Sequence, residues 1–477
     1  MTSGQISGAS GMAPPISRVI MIATAAAIGG FLFGFDTAVI NGAVDAVKAW
    51  SGAGDVLLGF SVAGGLIGCA VGAWFAGPIS TKYGRIRVMQ IAAVVFFLSA
   101  LGSGLAWEIW SLTAWRLFGG LAVGAASVIA PAYIAEVSPA QVRGRLGSMQ
   151  QMAIVVGIFV SLLSNYALAQ AAGGAINELW FGLEAWRWMF IAECIPALIY
   201  GVLASMIPES PRYLVSQGRL EEAKKVLAHY VGGNPEAKVA EIQESMAADA
   251  GQKQTIKVLV GGRFGLLPIV WIGIALSIFQ QAVGINVIFY YSSMLWQAVG
   301  FDESSALLTS VFTSVVNIVT TVIAIALVDK VGRKPLLLIG SAGMIVTLGT
   351  MAYIFGTAPL TTLADGTTQP DLVGSAAGIV AVVAANLYVV FFGMSWGPVV
   401  WVLLGEMFNN RIRAYAISVA AAAQWGANFL VSVTFPSLAS AGLGLAYGLY
   451  TTMALLSLIF VWTLVKETRG RELEDMQ

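Results

Sequence analysis

Apolar residues run along this chain in long unbroken stretches rather than in strand-like alternation, and polar residues gather between them. Twelve stretches can be marked: 18–42, 56–79, 87–106, 109–134, 146–170, 187–207, 264–291, 305–328, 335–356, 374–404, 414–436 and 441–465. Each runs to about 20 residues or more, the length a helix needs to cross the hydrocarbon layer of a bilayer. Barrel strands would be shorter and alternating. The pattern therefore predicts an all-α integral membrane protein of twelve transmembrane helices. A polar stretch at 208–260, helical in GRLEEAKKVLAHY, separates two groups of six. The expected organisation is an N-terminal six-helix lobe (1–207), a helical linker (208–260) and a C-terminal six-helix lobe with a short tail (261–477).

Composition agrees. Of 477 residues 58% are hydrophobic and 10% charged, against about 25% charged in soluble proteins. The 54 glycines suit closely packed membrane helices. The formal net charge is zero, which gives no support to a nucleic-acid partner. Cys69 and Cys194 both fall in apolar stretches, so no disulfide framework is expected. His229, the single histidine, lies in the polar linker. A histidine proton relay in the membrane and a histidine metal site are both excluded, and proton chemistry must use a carboxyl group. No nucleotide-binding loop with P-loop spacing, nucleophile–base constellation or metal-ligand spacing is present. The chain reads as neither an enzyme nor an ATP-driven pump, with no cofactor. The start, MTSGQISGASGMAPP, is polar and small, without a short cleavable signal before the first span.

Lysine and arginine placement sets the expected orientation. Lys82, Arg85, Arg87, Arg143, Arg145, Arg212, Arg219, Lys224, Lys225, Lys238, Lys330, Arg333, Lys334, Arg411, Arg413, Lys466, Arg469 and Arg471 all fall in loops on one side. The other side carries Lys48 with Asp45, Asp55, Glu108, Glu178, Asp302, Glu303 and Asp371. Both termini and the linker are expected in the cytoplasm.

Asp36 is the most costly residue in this frame, a carboxylate in the middle of the first span. Placing it there costs roughly 2.5–3.5 kcal/mol on insertion scales. Arg116 is the arginine deep in a neighbouring span. An acid and a base, each expensive alone, suggest a buried pair whose protonation is linked to movement. Glu193, in the sixth span, is a second membrane acid.

The halves repeat. YGR at 83–85 returns as VGR at 331–333, each after its half's second span. Glu136 precedes Arg143 by seven residues, as Glu406 precedes Arg413. Paired halves with a polar link match transporters whose rocking lobes alternately expose a midplane site.

These loops, together with PESPR (208–212), QQAVGIN (280–286) and KETRG (466–470), resemble the sugar porter family of the major facilitator superfamily over essentially the whole chain. Within it the likeness is greatest to bacterial sugar–proton symporters. The chain departs at Thr81, where the family has an acid, at the interrupted Arg85-Ile86-Arg87, and at Lys466, where it has proline.

The resemblance implies the major facilitator fold, a plasma-membrane location, and a single chain importing a monosaccharide, a hexose such as glucose or a pentose such as xylose. It implies a sugar site at Gln151, Gln280, Gln281, Asn286, Asn317 and Gln424, with the sugar stacked on Trp401 and Phe33 nearby. Amides donate and accept without charge, which suits a neutral polyol; otherwise they are interhelical glue worth about 0.6 kcal/mol each. Tyr290, Trp396, Trp425 and Asn428 are neighbours that could equally serve packing. Asp36 and Arg116 match the family's proton-coupling pair, with Glu193 either a secondary proton or conformational group or a partner of a loop arginine. Arg85, Glu136, Arg143, Asp329, Arg333, Glu406 and Arg413, joined by Glu209 and Arg212, are expected as a cytoplasmic clasp of ion pairs between lobes. Gly284 and Gly397 are candidate helix breaks; Gly29 and Gly30 are close-packing positions. Ile158 stands where some symporters carry another glutamine. A facilitative uniporter of the same fold remains open, as does a sugar-sensing receptor, although a sensor would be expected to carry a longer tail than the roughly twelve residues after the last span.

Overall fold

In hydrocarbon every backbone N–H and C=O must find a partner within its own segment, and the apolar stretches accordingly close into long helices. The structure is a computed structural model describing residues 16–138, 143–232, 234–251, 256–261, 265–362, 368–372, 374–408 and 412–468. Among the described residues twelve spans are long and apolar enough to cross a membrane.

Five N-terminal spans are single helices: α1 (Ile16–Ser51), α2 (Asp55–Tyr83), α3 (Arg85–Gly104), α4 (Ile109–Val137) and α5 (Arg143–Ala172). A short antiparallel pair, β1 (Glu178–Trp180) and β2 (Leu183–Glu184), leads to a sixth span split into α6 (Ala185–Ile191) and α7 (Cys194–Met206). The linker holds α8 (Pro211–Ser216), α9 (Leu220–Val226), a π-turn at Leu227–Val231 and α10 (Pro235–Gly251). The C-terminal spans are α11 (Pro268–Ala282) with α12 (Ile285–Ala298), α13 (Glu303–Val331), α14 (Arg333–Thr357), α15 (Ala376–Gly393) with α16 (Trp396–Met407), α17 (Arg413–Ala441) and α18 (Leu443–Leu464).

Two details differ from the sequence pattern. The first helix continues to Ser51 rather than ending near 42, so Asp45 and Lys48 ride on it instead of in a loop. Spans six, seven and ten are each broken in mid-course. Gly284 makes the seventh-span break with φ +86°, a left-handed conformation costly for any other residue. The tenth-span break falls at Met394–Ser395, and Gly397, expected as the breaking residue, lies inside α16.

Within the N-terminal lobe α1 packs on α5, α2 on α4 and α3 on α7; within the C-terminal lobe α11 packs on α17, α13 on α15 and α14 on α18. The lobes meet through α2 with α17, α5 with α13 and α1 with α12. The hydrogen bonds described between lobes gather at the acidic end of the bundle. Asn41 Nδ2 donates to the Phe289 carbonyl (3.0 Å) and Ser292 Oγ (2.8 Å), and Ser293 Oγ donates to the Asn41 carbonyl. Gln297 Nε2 donates to Asp45 (2.7 Å), the Ala175 N–H to Glu303 (2.8 Å) and Ser440 to Asp55 (2.5 Å). The lobes are thus latched at one end.

Candidate sugar and proton sites

Asp36, Arg116 and Glu193 arrive from α1, α4 and the α6–α7 break, and the fold brings all three together. They are 6%, 4% and 1% exposed. Asp36 and Arg116 line one small cavity of about 10 Å³ with Thr37, Val62, Gly65, Leu66, Cys69 and Tyr290. That is room for about one water. The expected ion pair is not closed: no Asp36–Arg116 approach within 4.0 Å occurs among the described residues, and Arg116 Nε and Nη1 have no hydrogen-bond partner there. Asp36 instead lies close to the Glu193 carboxyl, whose Oε1 has no hydrogen-bond partner among the described residues. Its Oδ1 lies against Gly119, one turn along α4 from Arg116, where the missing side chain leaves space. Glu193 thus sits beside Asp36, and no ion pair between it and a loop arginine occurs among the described residues.

The amides of the seventh span also converge. Gln280 Nε2 donates to the carbonyls of Trp396 and Gly397, both at 3.0 Å, tying α11 to the start of α16. Gln281 Nε2 reaches Gln280 Oε1 (3.4 Å), and Asn286 Nδ2 donates to Gln281 Oε1 (2.5 Å) across the Gly284 break. Tyr290, one turn after Asn286, also walls the Asp36 cavity. Phe33 and Trp425 meet across the lobes with ring centroids 6.0 Å apart. Gln424 is half-buried, with Oε1 lacking a partner among the described residues. Gln151 is exposed, Trp401 is 43% exposed and Asn317 is half-buried near Gly393. These last three are not drawn into the Gln280–Gln281–Asn286 cluster. Trp396 is fully buried, its Nε1 bonded to Ser341 Oγ (2.9 Å) and the Leu337 carbonyl (3.2 Å), which makes it a packing residue.

At the basic end the two lobes carry one constellation twice. Arg85 donates Nε and Nη2 to Glu136 (3.0 and 2.8 Å) and Nη1 to the Ser80 carbonyl (3.2 Å). Arg333 does the same to Glu406 (3.0 and 2.6 Å) and the Val328 carbonyl (3.1 Å). Ser210 Oγ joins Glu136, and Thr468 Oγ1 joins Glu406 at 2.6 Å. Glu209 accepts from the N–H groups of Arg85 and Ile86, and Glu467 from those of Arg333 and Lys334, each capping the start of its half's third span. Gly84 and Gly332 precede those helices with φ +94° and +101°, and a Cβ at either would meet the capping glutamate. These described pairs lie within each lobe, not between lobes as expected. Arg212 is exposed; the side chains of Arg143, Asp329 and Arg413 lie outside the described residues.

Sequence reasoning did not single out Glu467, Ser210, Thr468, Asn41, Tyr200 or Gln150. The first three had a visible signal, because an acid followed by a hydroxyl residue recurs in PESPR and KETRG. Gln150 is 7% exposed and packs on Gly30, with neither amide atom partnered among the described residues, while its neighbour Gln151 points elsewhere.

Residues 22–477 match the family model described as "Sugar (and other) transporter". The chain is 58% identical to the glucose transport protein of Synechocystis sp. over 463 residues, covering 97% of each. It is 39% identical to the D-xylose-proton symporter of Escherichia coli over 495 residues, covering 97% of this chain and 95% of that one. Among solved structures, the partially occluded inward open conformation of the xylose transporter XylE from E. coli superposes with a TM-score of 0.80 at 36% identity, covering 96% of this chain and all of that one. The chain belongs to this sugar transporter family, with the major facilitator fold; it is a multi-pass membrane transporter and not an enzyme.

Proposed function

We propose that this protein is a proton-coupled symporter that imports a monosaccharide by alternating access, with glucose the first candidate. The observation that carries the reading is the shared wall at Tyr290: the Asp36–Arg116 cavity touches the same C-lobe helix that presents Asn286 one turn earlier. A change in charge at Asp36 is thereby felt by the helix that holds the sugar amides. The identity to a glucose transport protein supports glucose over xylose. The basic end is taken as cytoplasmic by the positive-inside rule, which makes the latched acidic end the outer gate and the described state inward-facing. The division at 1–207, 208–260 and 261–477 belongs to the same proposal, as does a plasma-membrane location with both termini inside.

The mechanism follows from the cost of burying charge. Ionised Asp36 needs Arg116 as a partner, since an unpaired carboxylate in this setting is too expensive. A proton removes that need. Asp36 then turns to Glu193 and Arg116 is released. The lobes can rearrange with sugar bound at Gln280, Gln281 and Asn286, joined in the course of transport by Gln151, Asn317, Trp401 and Gln424. One proton moving through 100 mV releases about 2.3 kcal/mol. At about 1.4 kcal/mol per decade this supports roughly 50-fold accumulation of a neutral solute.

The test uses purified protein in proteoliposomes with a panel of radiolabelled sugars and an external pH electrode. Alkalinisation of the medium on glucose entry is expected. Sugar entry without proton movement would make it a facilitative uniporter, and binding without entry a sensor.

A further inference from the structure

Tyr200 is fully buried, yet its hydroxyl has no hydrogen-bond partner among the described residues. A buried hydroxyl left unpaired is costly, and native structures rarely keep one without a reason. Its position is specific. Tyr200 lies seven residues after Glu193 on α7, and Gly29 seven residues before Asp36 on α1. Seven residues are two helical turns, about 10 Å. The two helices run antiparallel, so Glu193 faces Asp36 at one level and Tyr200 faces Gly29 two turns nearer the basic end. The fit is tight: a Cβ on Gly29 would sit 2.8 Å from the Tyr200 oxygen. A helical side chain leans toward its own N-terminus, which aims the phenol back toward Glu193. Glu193 Oε1 likewise has no hydrogen-bond partner among the described residues.

On the other flank of α1, Gln150 occupies the level of Gly30, again with its amide unpartnered. It lies seven residues into α5 from that helix's basic-end start. The Tyr200 hydroxyl and the Gln150 amide thus lie at nearly one level, about two turns from the carboxyl pair toward the basic end, in an otherwise apolar packing of alanine, valine and isoleucine.

We propose that Tyr200, seated on Gly29, relays the proton from the Asp36–Glu193 pair toward the basic end, with water completing the path. This rests on the symport reading. In each passage the carboxyl O–H breaks and its proton passes through water to a lone pair on Tyr200 Oη. The hydroxyl's own O–H proton leaves on the far side, so the phenol is neutral before and after. One proton enters and one leaves, and nothing is oxidised or reduced.

The test compares wild type with Tyr200→Phe in proteoliposomes, by glucose counterflow and by net proton-coupled uptake, in H₂O and D₂O. Counterflow exchanges sugar without requiring net proton release. Phe keeps the ring against Gly29 and loses only the oxygen. The expected result is exchange within about twofold of wild type, net uptake slowed about tenfold, and an altered solvent isotope effect on net uptake alone. Tyr200→His, which restores a proton-transferring atom, should recover part of the rate. Net uptake by Tyr200→Phe at the wild-type rate overturns the relay and leaves symport intact. A wild type that moves no proton overturns the symport reading and the relay with it. If Tyr200→Phe loses exchange as well, Tyr200→His carries the test: exchange and net uptake recovering together are expected, and exchange recovering without net uptake overturns the proposal.

Discussion

The two lobes share a skeleton and differ in chemistry. At the basic end they agree atom for atom: an arginine clamped to a glutamate, a hydroxyl joining the same glutamate, a second glutamate capping the next helix, and a glycine with positive φ beneath it. In mid-membrane they part. The N-terminal lobe buries Asp36, Arg116 and Glu193, whereas the corresponding depth of the C-terminal lobe offers amides and aromatic rings without a charge. The breaks follow the chemistry. In the N-terminal lobe the first and fourth spans run continuously and the sixth breaks at Glu193; in the C-terminal lobe the first and fourth break beside Gln280 and the sixth runs continuously. A helix break frees backbone groups that must be re-satisfied, and is tolerated where it faces protein or a cavity. The structure thus separates a lobe with buried charges from a lobe with buried amides, built on one frame, and under the proposed function these are the proton-handling and the main sugar-handling halves.

The sharpest attack on that division is Asp36→Asn. If the proton belongs to the N-terminal lobe alone, the roughly 50-fold gradient supported by 100 mV should fall to none, while counterflow continues. Radiolabelled uptake under an imposed potential reads both, and persistent accumulation would break the assignment. Next in size is Gly284→Ala. The positive φ and the Tyr450 ring, 2.7 Å from the added methyl, should together cost about 1–3 kcal/mol. Gly397→Ala, whose methyl meets only ordinary contacts, should melt close to wild type, and thermal unfolding in detergent compares the two.

Gln280→Ala removes two hydrogen bonds to the start of α16 along with the proposed sugar contact, and should weaken glucose binding about 10-fold or more, on the order of 1.4 kcal/mol. Binding calorimetry at two pH values checks it, and a change in the proton dependence would blur the lobe boundary. The smallest effect tests the shared frame. Glu209→Gln and Glu467→Gln each weaken two charge-assisted caps, and should cost similar amounts, about 1 kcal/mol apiece. Strongly unequal losses of melting temperature would show that the repeat is one of shape and not of energy.

Much of the frame was legible from one chain. Spans, their number, the linker and the paired arginine–glutamate motifs follow from apolar length and exact recurrence. Glu467 escaped notice because its motif differs in letters from PESPR, though the geometry is the same. Trp396 and Trp401 could not be told apart by type, and only the packing of one against Ser341 separates them. The clasp was read as joining lobes because charges of both signs line the same loops; the described pairs close within lobes, since the glutamate reached first is the one on the neighbouring helix.

What the sequence determined by itself is whatever depends on local composition: membrane residence, the number of spans, and the presence of costly charges that demand a reason. Tertiary structure decided pairing. Whether Asp36 meets Arg116 or Glu193, and whether a buried hydroxyl such as Tyr200 has company, depends on the distances and register between helices far apart in the chain. No periodicity within one segment encodes those quantities.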